Sequence, residues 1–168
     1  LISEYLDSLQ TFATVGVLAV SSGSEVNYVN ASFIAKEKNI ELTTSEFSNH
    51  SGYQNKVSIK ITTPTGVKTI SGTVFNEDVQ RIVEINGFPL DIEPKGKMIV
   101  MRNNDVPGVI GEVGKILGDN NINIADFRLS RGKEGALAVI LIDEKASSDI
   151  LKKLGNLEAA IAVAYAEI

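Results

Sequence analysis

Cysteine is absent from the 168-residue chain, and histidine occurs only once, as His50. Without cysteine the chain cannot form disulfides, thiolate zinc sites, iron–sulfur clusters or a cysteine nucleophile. A Ser-His-Asp triad would depend on His50, but the sequence also lacks the Gly-x-Ser-x-Gly elbow that would carry its serine. We therefore predict no catalytic residue and no metal site, and we expect His50 to lie in a loop.

A strongly basic surface is also missing, because the net charge is −5 and the isoelectric point is about 4.9. Nucleic acid and anionic membranes are poor partners for such a chain. No apolar run approaches the ~18 residues that a membrane helix needs. No signal peptide is visible, so we predict a cytoplasmic protein. Since the chain begins at Leu1 and not at Met, and opens directly into a helix predicted over 4–13, we expect it to be a fragment.

The glycine pattern of a nicotinamide-binding domain does not occur either. Gly108, Gly111 and Gly114 are spaced as Gly-x-x-Gly-x-x-Gly, which differs from the Gly-x-Gly-x-x-Gly fingerprint. Asp126 follows them too soon to be the ribose-binding acid, which lies about 20 residues after the motif. We predict that this chain binds no cofactor.

The pattern of apolar residues predicts an α/β domain with an antiparallel meander over residues 1–94. Helices are predicted over 4–13 and 26–38, the second with Val29, Phe33 and Ile34 as its apolar set. Period-two alternation and turn residues predict strands over 40–47, 57–62, 67–75, 80–85 and 88–92. Asn86-Gly87 is a strong hairpin signal, because both residues tolerate positive φ.

A second domain is predicted over residues 95–168, after the break at Pro94-Lys95-Gly96. Its order is strand, helix, strand, strand, helix, strand, which is typical of the ferredoxin-like fold. The first of its helices has an apolar face formed by Val109, Ile110, Val113, Ile116 and Leu117. The predicted fold class is therefore α+β.

The loop before that helix carries the most informative residues. Pro107 suits a first helical turn, and Gly108 permits close approach of a ligand. The free N–H groups of Gly108, Val109 and Ile110 would face an anion. Asp105 could pair with an ammonium group and Asn103 offers both a donor and an acceptor, so the loop suits an α-amino acid. The alternative is that Asp105 only caps the helix.

A second candidate is Asn123, which precedes the next predicted strand. It alternates out of phase with Ile122 and Ile124, so it need not belong to the core. The alternative is an ordinary turn amide.

The runs 103–118 and 120–125, continued by 127–131, closely resemble the ACT domain of the D-3-phosphoglycerate dehydrogenases. The shared pattern is N-x-D-x-P-G-V-I-G-x-V-G-x-x-L-G followed by I-N-I-A. The runs 26–31, 34–37, 71–74 and 81–88 resemble the intervening, allosteric substrate-binding domain of the longer members of that family.

This resemblance implies a regulatory role. In the family the ACT domain binds L-serine, the pathway end product, at a dimer interface and slows the enzyme. The implied serine contacts are Asn103, Asp105 and Asn123, with Pro107, Gly108 and Val109 beside them. A homodimer or tetramer through ACT domains is implied as well. The parent enzyme would oxidise 3-phosphoglycerate to 3-phosphohydroxypyruvate with NAD, on catalytic domains of the same chain that are missing here.

Basic residues near the predicted boundary form a further candidate site. In related long dehydrogenases such residues receive a phosphate or another anion, and the candidates here are Arg81, Lys95, Arg102 and Arg128. The alternative is a solvated surface.

Two other functions remain open. Regulatory subunits of iron–sulfur L-serine dehydratases pair similar domains, but they carry a Ser-rich, His-containing segment near their start, which this sequence lacks. The other is a free-standing ACT sensor of another amino acid, against which the match in residues 26–90 argues.

Overall fold

The computed structural model describes residues 2–22, 25–47, 52–76 and 78–168. The helices are α1 (Leu6–Ser22), α2 (Ala31–Glu37), α3 (Val109–Asp119) and α4 (Ser148–Gly155), and a 3-10 turn over Ile2–Tyr5 precedes α1. The strands are β1 (Val57–Thr63), β2 (Gly66–Phe75), β3 (Val79–Ile85), β4 (Phe88–Ile92), β5 (Lys97–Asn103), β6 (Ile124–Gly132), β7 (Gly135–Ile142) and β8 (Ala160–Glu167). The prediction for His50 falls outside the described residues.

These elements divide into two compact units, Leu1–Asn55 and Lys56–Ile168. In this division the meander, which consists of β1 to β4, belongs to the same unit as the second sheet, which consists of β5 to β8. The domain boundary that the sequence predicts between residues 94 and 95 stays a prediction. Among the described residues, no helix is both long and apolar enough to cross a membrane.

In the first unit, α1 is longer than predicted. The expected helix over 4–13 continues through the apolar run to Ser22, because that run contains no proline to end it. Leu18 packs with Val26, Ala31 and Ala35 in the core of this unit.

Helix α2 is shorter than predicted and buries a different face. Asn27 Oδ1 accepts hydrogen bonds from the N–H groups of Val29 and Asn30, at 2.9 and 3.1 Å, so these residues form a turn before the helix. The prediction that Val29 and Phe33 form the apolar face was wrong, since they are 94% and 64% exposed. The small residues Ala31 and Ala35 are buried instead.

The predicted strand over 40–47 was also wrong. These residues lie outside any strand. Their contacts are with helices: Leu42 packs against the core of the unit, and Thr44 accepts a 2.7 Å hydrogen bond from Gln10. Apolar alternation alone therefore did not produce a strand here.

The predicted meander is confirmed in the second unit, where β1 to β4 form an antiparallel sheet in chain order. Asn86 and Gly87 have φ values of 49° and 81°, which are the values that a type I′ hairpin requires. This hairpin joins β3 to β4 and places Phe88 at the start of β4.

The predicted ferredoxin-like domain is confirmed as well. Its sheet has the order β6-β7-β5-β8, and both helices cover one face of it. Val113 and Leu117 of α3 and Leu154 of α4 pack on Ile99 and Ile140 of the sheet. One part of the helix prediction was wrong, since Ile110 is 53% exposed.

The other face of this second sheet packs against the meander. Phe88 and Ile92 of β4 form a cluster with Met98, Leu137 and Val139. The second sheet therefore lies between two helices and a second layer of strands, which fixes the positions of its ends.

We call one end of this sheet the cleft end, because a cleft lies beside it, and the opposite end the far end. At the cleft end, Asn103 of β5 pairs with Ala136 of β7, and β6 finishes beside them. At the far end, Lys97 of β5 pairs with Ile142, and β6 begins at Ile124. The loop that follows β5 and the residue Asn123 therefore belong to opposite ends of the sheet.

Candidate functional site

A cleft with a volume of about 410 Å³ lies between the start of α3 and the edge strand β6. This is within the range of roughly 300–1,000 Å³ found for small-molecule sites. Its walls are mainly apolar, with three polar side chains, Asn103, Asp105 and Arg131. The lining residues are Met101, Asn103, Asp105, Val106, Pro107, Gly108, Val109, Ile110, Gly111, Val113, Phe127, Leu129, Arg131 and Ala138.

The loop between β5 and α3 is held in an unusual backbone shape. Asn103 is 2% exposed, and its Oδ1 accepts a 2.9 Å hydrogen bond from the N–H of Asp105. Asp105 adopts φ 51° and Gly108 φ 95°. Such values are uncommon for a residue with a side chain, although Asp tolerates them better than most. Asn103 thus fixes the backbone that presents Asp105 to the cleft.

The start of α3 is open to the cleft. Gly108 is the N-cap, and no side chain caps the helix there, so the alternative in which Asp105 caps the helix was wrong. Pro107 precedes the cap instead of lying in the first turn. The first intrahelical bond runs from the N–H of Glu112 to the oxygen of Gly108, at 3.0 Å. The three N–H groups before it, those of residues 109–111, have no intrahelical acceptor, and they form the positive end of the helix dipole.

Gly135 supports this loop from the neighbouring strand. It adopts φ 103°, and a Cβ atom at this position would overlap the carbonyl oxygen of Asn103. Only glycine fits such a close approach at such a φ value. The site therefore depends on a residue that the sequence pattern did not single out.

Arg131 is a cleft residue that sequence analysis did not assign to the amino-acid site. Its Nε lies 3.1 Å from Oδ1 of Asp105. The signal was present in the alternation of β6, since Phe127, Leu129 and Arg131 are two residues apart and share one face of the strand. All three line the cleft.

Asn123 is not in this cleft. It lies at the far end of the sheet, where its Nδ2 donates to Asp143 Oδ2 and its backbone N–H donates to Glu144 Oε2, both at 2.7 Å. Within one chain, the structure brings Asn103, Asp105, Pro107, Gly108 and Val109 together and leaves Asn123 apart.

The four candidate anion-binding residues each pair with a carboxylate of the same unit. Arg81 lies 3.1 Å from Asp91, Lys95 2.7 Å from Glu93, Arg102 3.0 Å from Glu134, and Arg128 2.9 Å from Asp126. The hydrogen bond from Lys95, with the nearby charge of Arg81, holds the pKa of Glu93 below its usual value. An anion would have to compete with these carboxylates, so the anion site stays a prediction.

Arg102 also contacts an aromatic side chain of the meander. Its guanidinium lies 5.8 Å from the centre of the Phe88 ring, and its Nε is buried without a hydrogen-bond partner among the described residues. This contact with Phe88 of β4 suits a structural role in joining the two layers.

Groups of acidic or histidine side chains that could hold a metal ion do not occur in the described part of the chain.

Comparison with known proteins gives two family matches. Residues 3–86 match the family described as D-3-phosphoglycerate dehydrogenase intervening domain, and residues 97–159 match the ACT domain.

Curated relatives agree with these matches. The D-3-phosphoglycerate dehydrogenase of Bacillus subtilis is 39% identical over 150 residues, which cover 88% of this chain and 29% of the relative. That of Synechocystis is 29% identical over 168 residues, covering 98% of this chain and 30% of the relative. The enzyme of Archaeoglobus fulgidus is 30% identical over 149 residues, which cover 86% of this chain and 28% of the relative. The chain spans less than a third of the length of each of these relatives. It belongs to the D-3-phosphoglycerate dehydrogenase family, of which it contains the intervening domain and the ACT domain.

Proposed function

We propose that this chain is the serine-sensing regulatory region of a cytoplasmic D-3-phosphoglycerate dehydrogenase. The observation that carries the proposal is the cleft between the open start of α3 and Asp105. An α-amino acid brings a carboxylate and an ammonium group a few ångströms apart, and the cleft presents a partner for each.

The carboxylate would bind at the start of α3, where three backbone N–H groups lack intrahelical acceptors. The ammonium group would bind to Asp105, whose side chain is 30% exposed in the cleft. The side-chain hydroxyl of serine would lie among the remaining donors and acceptors of the loop. Charge-assisted bonds of this kind contribute about 1.5–3 kcal/mol each.

Asn123 would reach this site from a second copy of the chain. β6 is an edge strand of its sheet, so two copies can pair side by side through it. An antiparallel arrangement about a two-fold axis beside Phe127 places Asp126 opposite Arg128 of the second copy. It also places Asn123, four residues before the axis, opposite Arg131, four residues after it.

This arrangement would put Asn123 of each copy at the mouth of the other copy's cleft. The bulge in β6 between Ile124 and Asp126 shifts that position by about one residue. The opposite edge strand, β8, contributes no residue to the cleft lining and offers no such match of charges. We therefore propose a homodimer through β6, or a tetramer that contains this dimer.

Serine would act by favouring one arrangement of the paired ACT domains. It can shift that equilibrium only by the difference between its affinities for the two arrangements. The shift would reach the catalytic domains of the parent enzyme, which would use NAD to oxidise 3-phosphoglycerate. The coupling is reciprocal, so binding events on the catalytic side would change the affinity for serine.

The two other functions predict different ligands and partners. A subunit of an L-serine dehydratase would associate with an iron–sulfur chain, and a free-standing sensor would prefer another amino acid. The family match over residues 3–86 favours the dehydrogenase.

Calorimetric titration with L-serine tests the proposal, with glycine, D-serine and L-threonine as competitors. We expect saturable binding selective for L-serine, and a loss of at least tenfold in affinity in Asp105→Asn. Asp149→Asn is the matched control, because Asp149 is an exposed acid paired with Lys152 on α4. Absence of binding at millimolar serine in a folded, dimeric sample would contradict the proposal.

A further inference from the structure

Two charged side chains line the cleft, and they carry opposite charges. Asp105 Oδ1 and Arg131 Nε lie 3.1 Å apart, with the side chains 30% and 72% exposed. The other lining residues are uncharged. The formal charge of the lining is therefore zero, and its two charges lie side by side as one ion pair.

The ion pair leaves hydrogen-bonding capacity on both partners. A carboxylate has about four acceptor sites and Arg131 occupies one of those on Oδ1. The guanidinium has five N–H donors in a planar fork, and its Nε uses one. Asp105 can therefore accept an ammonium group, and Arg131 can donate to a carboxylate, without breaking the bond between them.

We propose that Arg131 is a specificity-determining residue of the amino-acid site. Together with Asp105 it gives the cleft a dipole that matches a molecule carrying both an ammonium and a carboxylate group. This inference rests on the proposed function and adds to it a residue and a rule of selection: the cleft accepts zwitterions and discriminates against molecules that carry only one of the two charges.

The physical reason is electrostatic balance. With Arg131 present, a lone cation meets both the attraction of Asp105 and the repulsion of the guanidinium. Loss of Arg131 would leave a net negative cleft, which favours a cation over a zwitterion. Loss of the Asp105 charge would leave a net positive cleft, which favours an anion.

Ligands that each lack one charge of serine test this rule on the 168-residue chain. Ethanolamine retains the ammonium and hydroxyl groups, and 3-hydroxypropionate retains the carboxylate and hydroxyl groups. Calorimetry or competition would give the affinity of each relative to L-serine. In Arg131→Gln we expect the preference for serine over ethanolamine to fall at least tenfold. In Asp105→Asn we expect the preference for serine over 3-hydroxypropionate to fall by a similar factor.

Two further variants separate a role of Arg131 in ligand selection from a role in maintaining the structure. Arg131→Lys keeps the positive charge and should retain most of the preference for serine over ethanolamine. Lys152→Gln removes an equally exposed cation on α4 and should leave every ratio unchanged.

The outcomes distinguish this inference from the proposed function. If the wild-type chain binds serine and Arg131→Gln shows an unchanged ratio in a folded protein, the role of Arg131 is overturned and the serine site stands. If the wild-type chain binds no amino acid, both are overturned.

Discussion

The two ends of the second sheet each hold an asparagine beside carboxylates, but they use it differently. At the cleft end, Asn103 is 2% exposed and shapes a loop that leaves Asp105 facing a cleft of about 410 Å³. At the far end, Asn123 donates both its side-chain amide and its backbone N–H to Asp143 and Glu144. The first end leaves Asp105 open to a cleft, whereas at the second end the backbone N–H and one Nδ2–H of Asn123 are already paired.

In the proposed function, one chain therefore holds the serine site in two separate parts. The cleft lies along an edge strand, and the residue that the family resemblance adds to it lies at the other end of the same strand. Antiparallel pairing of two copies through β6 would reunite the parts, because such pairing brings opposite ends of a strand together.

Gly135→Ala should break the cleft end. The positive φ of 103° and the overlap with the carbonyl oxygen of Asn103 should together cost about 2–4 kcal/mol of unfolding free energy. Chemical denaturation measures it, and serine binding should be lost as well. Gly114→Ala is the matched control, since a Cβ there meets open space and should stabilise α3 by about 0.5–1 kcal/mol. Equal effects in the two variants would contradict the role of Gly135.

Asp126→Arg should weaken the dimer that connects the two ends. The symmetric pairing would place this new arginine opposite Arg128 of the second copy, twice per dimer. Replacing attraction by repulsion at both positions should raise the dissociation constant about tenfold. Sedimentation measures it. The double variant Asp126→Arg, Arg128→Asp should restore the dimer, and failure to restore it would argue against this register.

Asn123→Ala should weaken serine binding in the cleft of the second copy. The loss of a neutral hydrogen bond to the ligand should cost about 1 kcal/mol of binding free energy, or roughly fivefold in affinity for serine. Calorimetry under conditions that keep the chain dimeric measures it. Asp143→Asn, which alters the partner of Asn123 and leaves the amide in place, should have a smaller effect. An unchanged affinity in Asn123→Ala would remove this residue from the site.

The exposed ion pair of Glu93 with Lys95 should produce the smallest effect. Lys95 lowers the pKa of Glu93 in the folded state, so the pair stabilises the fold above the pKa of an unfolded glutamate. That contribution is lost as the pH falls through the lowered folded-state pKa. In Lys95→Met, an NMR titration should show the pKa of Glu93 moving back toward its usual value, while serine binding stays unchanged. A large change in serine affinity would indicate coupling between this ion pair and the serine site, which the two-part site does not predict.

The sequence predicted the second sheet well because its strands bury one face or both, and burial imposes periodicity on the residues. The same rule failed for residues 40–47, where Leu42 packs against the core of the first unit but Ile40 and Phe47 are exposed. It also failed for Val29 and Phe33, because the closely packed α1 and α2 bury the small Ala31 and Ala35 instead of the larger side chains. Local patterns do not encode which partner an element meets.

For the site, the loop chemistry of Asn103, Asp105 and Gly108 was readable from residue types. The pairing of Asp105 with Arg131 was not, since the two residues are far apart in sequence and meet only through the alignment of β5, β7 and β6. Their ends come together at Ala136, which pairs with both Asn103 and Arg131. The dependence of the loop on Gly135 has the same origin.

Mixing two inactive variants tests most directly whether the site is shared between two chains. Asp105→Ala would remove the ammonium partner, and Asn123→Phe would block the cleft of the second copy with a bulky side chain. Neither variant alone should bind serine. After dissociation and random reassociation of an equal mixture, half of the dimers should contain one intact cleft, which gives about one quarter of the wild-type number of sites with wild-type affinity. A mixture that binds no more serine than its two parents would contradict the shared site.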